Sequence, residues 1–555
     1  MSARDPIAVL STHEVTNQPP PIADYNLFES DRALKEALRR EGGRAAEKEV
    51  AAFGAALGTE HAFELGRLAN RYPPELKLFD RYGHLIDAVE FHPAYHELMA
   101  LAIERRVPSI AWTAEEGGHL LHTALTYMLI QVEAGVCCPM AMTYAAVPAL
   151  RKQPEIAAEW EPRILSREYD PRCLPASDKK GVTIGMAMTE KQGGSDVRTN
   201  TTRAIALNGG GPGGEYALTG HKWFCSAPMC DAFLTLGYTD AGLSCFFVPR
   251  WKPDGTRNPF YIQRLKDKLG NRSNASSEIE YDDTWARMVG EEGAGVRTII
   301  EMVHHTRLDT MLAPAGMMRQ ATVQALHHTA HRTAFQRLLS QQPLMRNVLA
   351  DLAVESEAAT TLVMRIARAY DRSAGDETER LFARIAVAVG KYWLNKRIAG
   401  HVNEAMECLG GAGYVEESIM PRLFREAPLN GIWEGSGNVI CLDILRAVQR
   451  EPESAGVFVD ELETARGGDK RLDRSIDALK AELADTGELE LRARRLTESM
   501  ALALQGSLLV RHAPAAVADA FCASRLAGDW RHTYGTLPIG TAFDKIVDRS
   551  QIAAG

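Results

Sequence analysis

The run MAMTEKQGGSDV, residues 186–197, decides the reading of this chain. It opens on an apolar, strand-like segment, Met186-Ala187-Met188, and breaks at Thr189-Glu190 into a turn carrying Gly193-Gly194-Ser195. Paired glycines have no side chain to hold a ligand away. The backbone N–H groups of such a turn, with the Ser195 hydroxyl, therefore suit close approach to a pyrophosphate. Taken by itself, the run reads first as a solvent loop between strands, because glycine pairs punctuate many turns.

Around this run the chain changes character. Between about Val182 and Asp283, short segments rich in Val, Ile, Phe, Tyr and Thr recur at Val182–Met188, Phe233–Tyr238, Ser244–Val248, Tyr261–Leu265 and Glu278–Tyr281. Turn signals separate them, the plainest being NGGGPGG at 208–214. This spacing predicts a small antiparallel barrel or sandwich.

On the N-terminal side, Asn17–Ile22 (NQPPPI) reads as extended chain. Apolar residues at three- and four-residue spacing then predict helices at 33–40, 47–57, 94–106 and 119–134. On the C-terminal side, helices are expected at 296–312, 314–339, 344–373, 377–408 and 437–450, the pattern of an antiparallel bundle. The remainder is again helical, with breaks near Gly467, Pro514 and Pro538.

The expected fold is mainly α with a central β domain. Its parts are an N-terminal helical domain (1–181), a β domain (182–295), a helical bundle (296–450) and a C-terminal helical domain (451–555). A chain of 555 residues is too long for one core, which agrees with such a division.

Bulk composition excludes more than it identifies. A net charge of −9 offers nucleic acid no global attraction. Met1–Val15 lacks the apolar stretch of a leader, and no run approaches the length of a membrane span. The nine cysteines form no CxxC or zinc-like cluster, so a reducing cytoplasm is the expected setting.

Two further segments carry chemistry. GHKWFCSA, residues 220–227, follows a tight turn and would present an aromatic side chain and a hydroxyl to a flat heterocycle. Alone, it reads as an aromatic core strand. The third signal is LGGAGY (409–414) followed by IWEGSGNV (432–439), where Glu434 stands among Trp433 and small residues at the start of an apolar helix. A desolvated carboxylate there has a raised pKa and serves as a general base, while helix-start N–H groups polarise an acyl oxygen. The bland alternative is a first-turn acid complementing the helix dipole.

In this order, the three segments resemble the motifs of the acyl-CoA dehydrogenase superfamily. Thr189-Glu190 with Gly193-Gly194-Ser195-Asp196 is similar to its TE-(x)-GxGSD loop, Gly220-x-Lys222-Trp223-Phe224-Cys225-Ser226 to its GxKWWIT strand, and Glu434-Gly435-Ser436 to its YEGT element. Longer wording resembles the AidB branch: MAMTEKQGGSDVRTNTT (186–202), EAMECLGGAGYVEES (404–418) and IWEGSGNVICLDILR (432–446), with ELGRLAN (64–70), VEFHP (89–93) and QQPLMR (341–346).

The resemblance implies FAD as cofactor and assigns roles. Met186, Ala187, Met188, Thr189, Glu190, Gly193, Gly194 and Ser195 match a flavin-contacting strand-loop, with Thr189 and Ser195 as hydrogen-bonding positions. Phe224, Cys225 and Ser226 match the strand at the ring, Ser226 near flavin N5. Ile432, Trp433, Gly435, Ser436, Gly437 and Asn438 belong to a further FAD-lining stretch, 432–442, and Glu434 matches the α-proton abstractor. Arg332 and Phe335 resemble an RxxF element that reaches FAD on a neighbouring subunit, which implies a homotetramer. Phe224 replaces the usual tryptophan, Cys225 an aliphatic or aromatic residue, and Glu407 a frequent glutamine.

Two other groups of residues bear on binding. His327, His328 and His331 include an i,i+4 pair that suits zinc, but Arg332 adjoins it and no third ligand is near in sequence, so a helix surface is expected. Arg492, Arg494 and Arg495 are the densest basic group of the tail, and the resemblance implies that such a tail associates with double-stranded DNA. Yet 451–555 holds 13 Lys and Arg against 17 Asp and Glu, a net of −4, and an oligomerisation role fits as well.

The leading expectation is therefore α,β-dehydrogenation of an acyl-CoA thioester, with Glu434 as base. The alternatives are a DNA-associated flavoprotein that protects against alkylation, and a nitroalkane oxidase, against which a glutamate at 434 speaks. The acyl chain and electron acceptor stay open. Because every matched flavin motif precedes residue 451, the tail is expected to be dispensable for FAD binding.

Overall fold

The computed structural model describes residues 7–528 and 531–552; Met1–Pro6, part of the segment read for a leader, lie outside them. The N-terminal part contains α1 (Arg32–Glu41), α2 (Glu47–Leu57), α3 (Glu60–Arg71), α4 (Pro93–Glu104), α5 (Ile110–Thr113), α6 (Gly118–Val132), α7 (Cys137–Leu150) and α8 (Pro154–Ile164). A hairpin of β1 (Glu75–Phe79) and β2 (Leu85–Glu90) interrupts the helical expectation for this part. Capping follows the sequence: the Asp31 side chain accepts from Leu34 N, and that of Thr59 from Ala62 N.

The central region holds β3 (Ile184–Ala187), β4 (Arg203–Ala206), β5 (Glu215–Ser226), β6 (Ala232–Thr239), β7 (Gly242–Pro249), β8 (Phe260–Leu265) and β9 (Ser276–Val289). The pairing runs β6-β4-β5-β9-β7 and returns from β7 to β6, so the sheet closes into a barrel. Closure removes sheet edges that would otherwise be exposed. Most pairings are antiparallel; β3 and β4 each pair β6 in parallel.

The bundle begins with α9 (Gly295–His331), followed by a two-residue-strand hairpin, β10 (Thr333–Ala334) and β11 (Arg337–Leu338). Then come α10 (Pro343–Arg372), α11 (Glu377–Leu409), α12 (Gly411–Tyr414), α13 (Met420–Glu426) and α14 (Gly437–Arg450). The two helices expected at 296–312 and 314–339 are one helix that runs through Pro314 and stops at His331. Proline cannot donate to the Thr310 carbonyl one turn back, and the Asn395 amide takes that carbonyl instead, at 3.0 Å.

The tail forms α15 (Pro452–Glu463), α16 (Lys470–Ala484), α17 (Leu489–His512), α18 (Ala515–Phe521) and α19 (Phe543–Ser550). It is not separately packed. One hydrophobic core takes in Leu34 and Leu120 from the N-terminal helices, Leu362 and Val389 from the bundle, and Leu496, Met500 and Leu508 from the tail. A second core joins α7 and α8 to the barrel and to the first turns of α9. Buried ion pairs reinforce the tail: Arg525 reaches Asp351 and Glu355 on α10, and Arg549 reaches Glu357. The tail and the bundle share this first core, so removing 451–555 would open it.

Candidate functional site

The first two motifs meet through three bonds. The β5–β9 register slips between Lys222 and Cys225, and there Trp223 N donates to the Thr189 carbonyl at 2.8 Å. Lys191 N donates to His221 Nε2 at 3.1 Å. Beneath both, Lys222 Nζ lies 2.8 Å from Glu190 Oε1. Glu190 also accepts from the backbone and hydroxyls of Thr201 and Thr202, so its carboxylate anchors the loop from inside and does not face a ligand. Burial raises the Glu190 carboxyl, but the Lys222 charge and these hydrogen bonds outweigh it and bring it down to about 2. The matched Cys225 likewise turns its thiol into the barrel core.

Ser195 and Gly194 stay exposed on the loop, Ser226 is half-buried, and the Phe224 ring is 49 % exposed. Gly194 has a steric reason: a Cβ there would stand 2.9 Å from Thr189 Oγ1, one of the two matched hydroxyls.

Glu434 is held differently from the sequence expectation. It lies ahead of α14, whose N-cap is Ser436, and adopts a left-handed conformation with φ 56°. A non-glycine residue in that region is strained and is kept there by its surroundings. The clamp is Lys391, in the buried run IAVAVGKYWL (385–394) of α11. Its ammonium donates to the Trp433 carbonyl at 2.7 Å and to the Gly435 carbonyl, one on each side of Glu434. The Thr306 hydroxyl on α9 donates to Glu434 Oε2 at 2.8 Å. Arg307, fixed by Asp443 at 2.7 Å, points Nε at the Glu434 carbonyl. Burial pushes the Glu434 carboxyl up, against the Thr306 bond and the charges of Lys391 and Arg307. Burial also brings Lys391 down to about 7, against the attraction of Glu434.

Ser226 of the second motif and Glu434 of the third both act on the Cys138 thiol. Burial pushes this thiol up to about 11, with Lys268, Ser226 and Asn274 pulling it down and the Glu434 charge adding to the rise. Lys268 itself donates to the Asn274 carbonyl at 2.6 Å and to Ser276 Oγ at 3.1 Å, and Ser276 pairs Ser226 across β5 and β9. Thr306, Lys391 and Cys138 had no role in the sequence reading. A lysine within an apolar helical run was the one signal available for any of them.

Not every matched residue joins this group. Phe335 sits at the tip of the β10–β11 hairpin, 94 % exposed, and Arg332 donates to the Asn17 carbonyl at 2.6 Å. His327 contacts the Pro20 carbonyl, and His331 the carbonyl of His327. The three tail arginines do not form one face. Arg492 donates to the Asp485 and Gly487 carbonyls, and Arg494 to Asn438 Oδ1 at 2.8 Å. Arg495, 82 % exposed, stands 3.5 Å from Glu482. A separate cavity of about 940 Å³ between α3 and α13 is lined by Glu64, Arg67 and Asn70 of ELGRLAN and by Glu416, Glu417 and Ser418, and by none of the residues matched to FAD or to the base.

Comparison with known proteins places this geometry. Family models match at 17–171 (adaptive response protein AidB N-terminal domain), 185–284 (acyl-CoA dehydrogenase, middle domain) and 293–449 (acyl-CoA dehydrogenase, C-terminal domain). AidB of Escherichia coli strain K12 is 46% identical over 92% of this chain and 94% of its own length. The chain belongs to the acyl-CoA dehydrogenase family, in its AidB branch.

Acyl-CoA dehydrogenase family member 11 of Caenorhabditis elegans is 30% identical over 88% of this chain and 84% of its own length. The crystal structure of C. elegans ACDH-11 in complex with C11-CoA superposes with a TM-score of 0.82 at 28% identity, covering 94% of this chain and 95% of that one. The protein is thus an oxidoreductase family member acting on CH–CH groups, with FAD as its cofactor. The donor set fits that cofactor. Exposed backbone and the Ser195 hydroxyl would suit the phosphates, Phe224 and Ser226 the ring, and the half-buried turn before α14 would line a further side.

Proposed function

We propose that this protein catalyses α,β-dehydrogenation of an acyl-CoA thioester, with Glu434 as the base. The observation that carries the reading is the placement of Glu434: a desolvated carboxylate whose Oε2 accepts from the Thr306 hydroxyl, in a left-handed turn clamped by Lys391 through the carbonyls on either side. A carboxyl shifted upward binds a proton more readily, and the α-proton of a thioester demands such a base. Thr306 fixes one carboxylate oxygen and leaves Oε1 free of that bond to receive the proton. The Glu434 N–H is assigned to the thioester oxygen, where a backbone donor stabilises the charge that develops as the proton leaves. FAD, when bound, supplies the electron sink that takes the hydride from the β-carbon. The C11-CoA complex of the C. elegans relative supports an acyl-CoA as substrate. Anaerobic addition of a panel of acyl-CoAs, read as loss of flavin absorbance, tests the reading, and no bleaching by any thioester would sink it.

The exposed Phe335, Leu344 and Tyr414 support a subunit contact in a homotetramer. Nine free cysteines suit a reducing cytoplasm, and no helix among the described residues is long and apolar enough to cross a membrane. Protection of double-stranded DNA finds less support. The tail is net acidic, and two of its three clustered arginines bind internal acceptors.

A further inference from the structure

We propose that Arg494, in the C-terminal extension, is a cofactor-positioning residue that turns the Asn438 amide toward FAD. The inference rests on the assignment of 432–442 to FAD in the reading above. It gives the tail a part in the cofactor site that no dehydrogenase domain assigns to it, since the matched domains end at residue 449.

Helices α14 and α17 run side by side in parallel. Arg494 Nε meets Asn438 Oδ1 at 2.8 Å, and three residues further along each helix Thr497 Oγ1 meets Cys441 Sγ at 3.5 Å. Leu496 and Met500 are buried beneath this seam, which fixes the α17 backbone against the bundle. An arginine has donors only, so Arg494 must take the oxygen end of the Asn438 amide. The Nδ2 end then faces away with two hydrogens to donate, and no described residue accepts from it. A free asparagine amide has two orientations; this one has a single orientation set from outside the flavin motifs.

The surroundings favour an anionic ligand there. A Cβ at Gly437 would stand 3.0 Å from Lys396 Nζ and 3.6 Å from Arg494 Nη2, so both cations flank the first turn of α14. Arg494 bonds the neutral Asn438 amide and Lys396 lies over the Tyr392 ring, and no carboxylate among the described residues pairs with either. The Ser436 N-cap makes no side-chain bond, leaving the helix-start N–H groups available. FAD, with its phosphates, is the anion that the family brings to this segment.

The test is FAD affinity of the apo-protein, read by quenching of flavin fluorescence. Arg494→Ala should raise the Kd roughly tenfold, in keeping with one lost charge-assisted bond, and Arg494→Lys should restore part of it. Asn438→Ala should weaken binding by a similar factor, and the double variant should be no weaker than Asn438→Ala alone, because the two act as one unit. Arg495→Ala, next along the helix but facing solvent, should leave the Kd unchanged. Melting temperatures of the apo forms separate a lost contact from a lost fold. A wild-type Kd in both Arg494 variants, or strictly additive effects in the double variant, overturns the proposal while leaving FAD binding intact. Failure of the wild-type protein to bind FAD would instead overturn the site reading beneath it.

Discussion

Lys222 Nζ lies 2.8 Å from Glu190 Oε1, and both side chains are 0 % exposed. One belongs to the strand matched to the flavin ring and the other to the loop matched to its phosphates, so a single buried ion pair fixes the two halves of the proposed cradle relative to each other. The pair is worth most when intact, because removing one partner strands an uncompensated charge in the interior.

Glu190→Gln or Lys222→Met should each destabilise the protein by about 3–5 kcal/mol, the usual cost of breaking such a pair, and should release FAD before global unfolding. Thermal melting followed in parallel by flavin fluorescence and by circular dichroism checks this. Because the Glu190 carboxyl is depressed to about 2, its contribution is present above the ordinary carboxylate range and is lost as pH falls through the folded value. Acid unfolding of Glu190→Gln should accordingly be less steep below about pH 4.5 than that of the parent.

Gly194→Ala should lower FAD occupancy, since its methyl would press on Thr189 at 2.9 Å and displace a matched hydroxyl. Ala substitution of Thr189 and Ser195 together should do the same through two lost bonds. The absorbance ratio at the flavin and protein bands of the purified variants measures both effects; full occupancy in the double variant would misplace the phosphate loop.

Lys391→Met should slow flavin reduction and move its acid limb to higher pH. Removing the ammonium lifts a charge that holds the Glu434 carboxyl down, so the carboxylate form needed for proton abstraction appears later. The variant also loses both carbonyl clamps around the left-handed Glu434, for which a drop of about 10²-fold is expected. A pH–rate profile of the reductive half-reaction checks the direction of the shift.

Deleting 451–555 should yield an aggregated or poorly melting protein, because α17 contributes Leu496, Met500 and Leu504 to the core shared with the bundle. A truncated chain with a sharp, unshifted melting transition and bound FAD would show that the tail is dispensable after all.

Much of the fold was legible because local patterns and tertiary packing agree. The helix at Glu47–Leu57, the bundle helices from Pro343 and Glu377, and the β segments between 184 and 289 all follow their periodicity. The failures have local causes. Pro314 reads as a helix break unless one knows that Asn395, far along the chain, takes the orphaned carbonyl. Helix α7 is apolar on nearly every side and contains Pro148, so no amphipathic period marks it. The site was legible as motifs but not as an arrangement. Thr306 and Glu434 are separated by 128 residues and Lys391 and Trp433 by 42, and no spacing rule connects them.

The most direct test of the account is anaerobic reduction of FAD by an acyl-CoA in wild type and Glu434→Gln, measured by stopped flow at the flavin absorbance. The account predicts that both proteins carry FAD, that the wild type bleaches, and that the glutamine variant is slower by about 10²–10⁴-fold, the usual worth of a general base. Equal bleaching rates in the two proteins would contradict it.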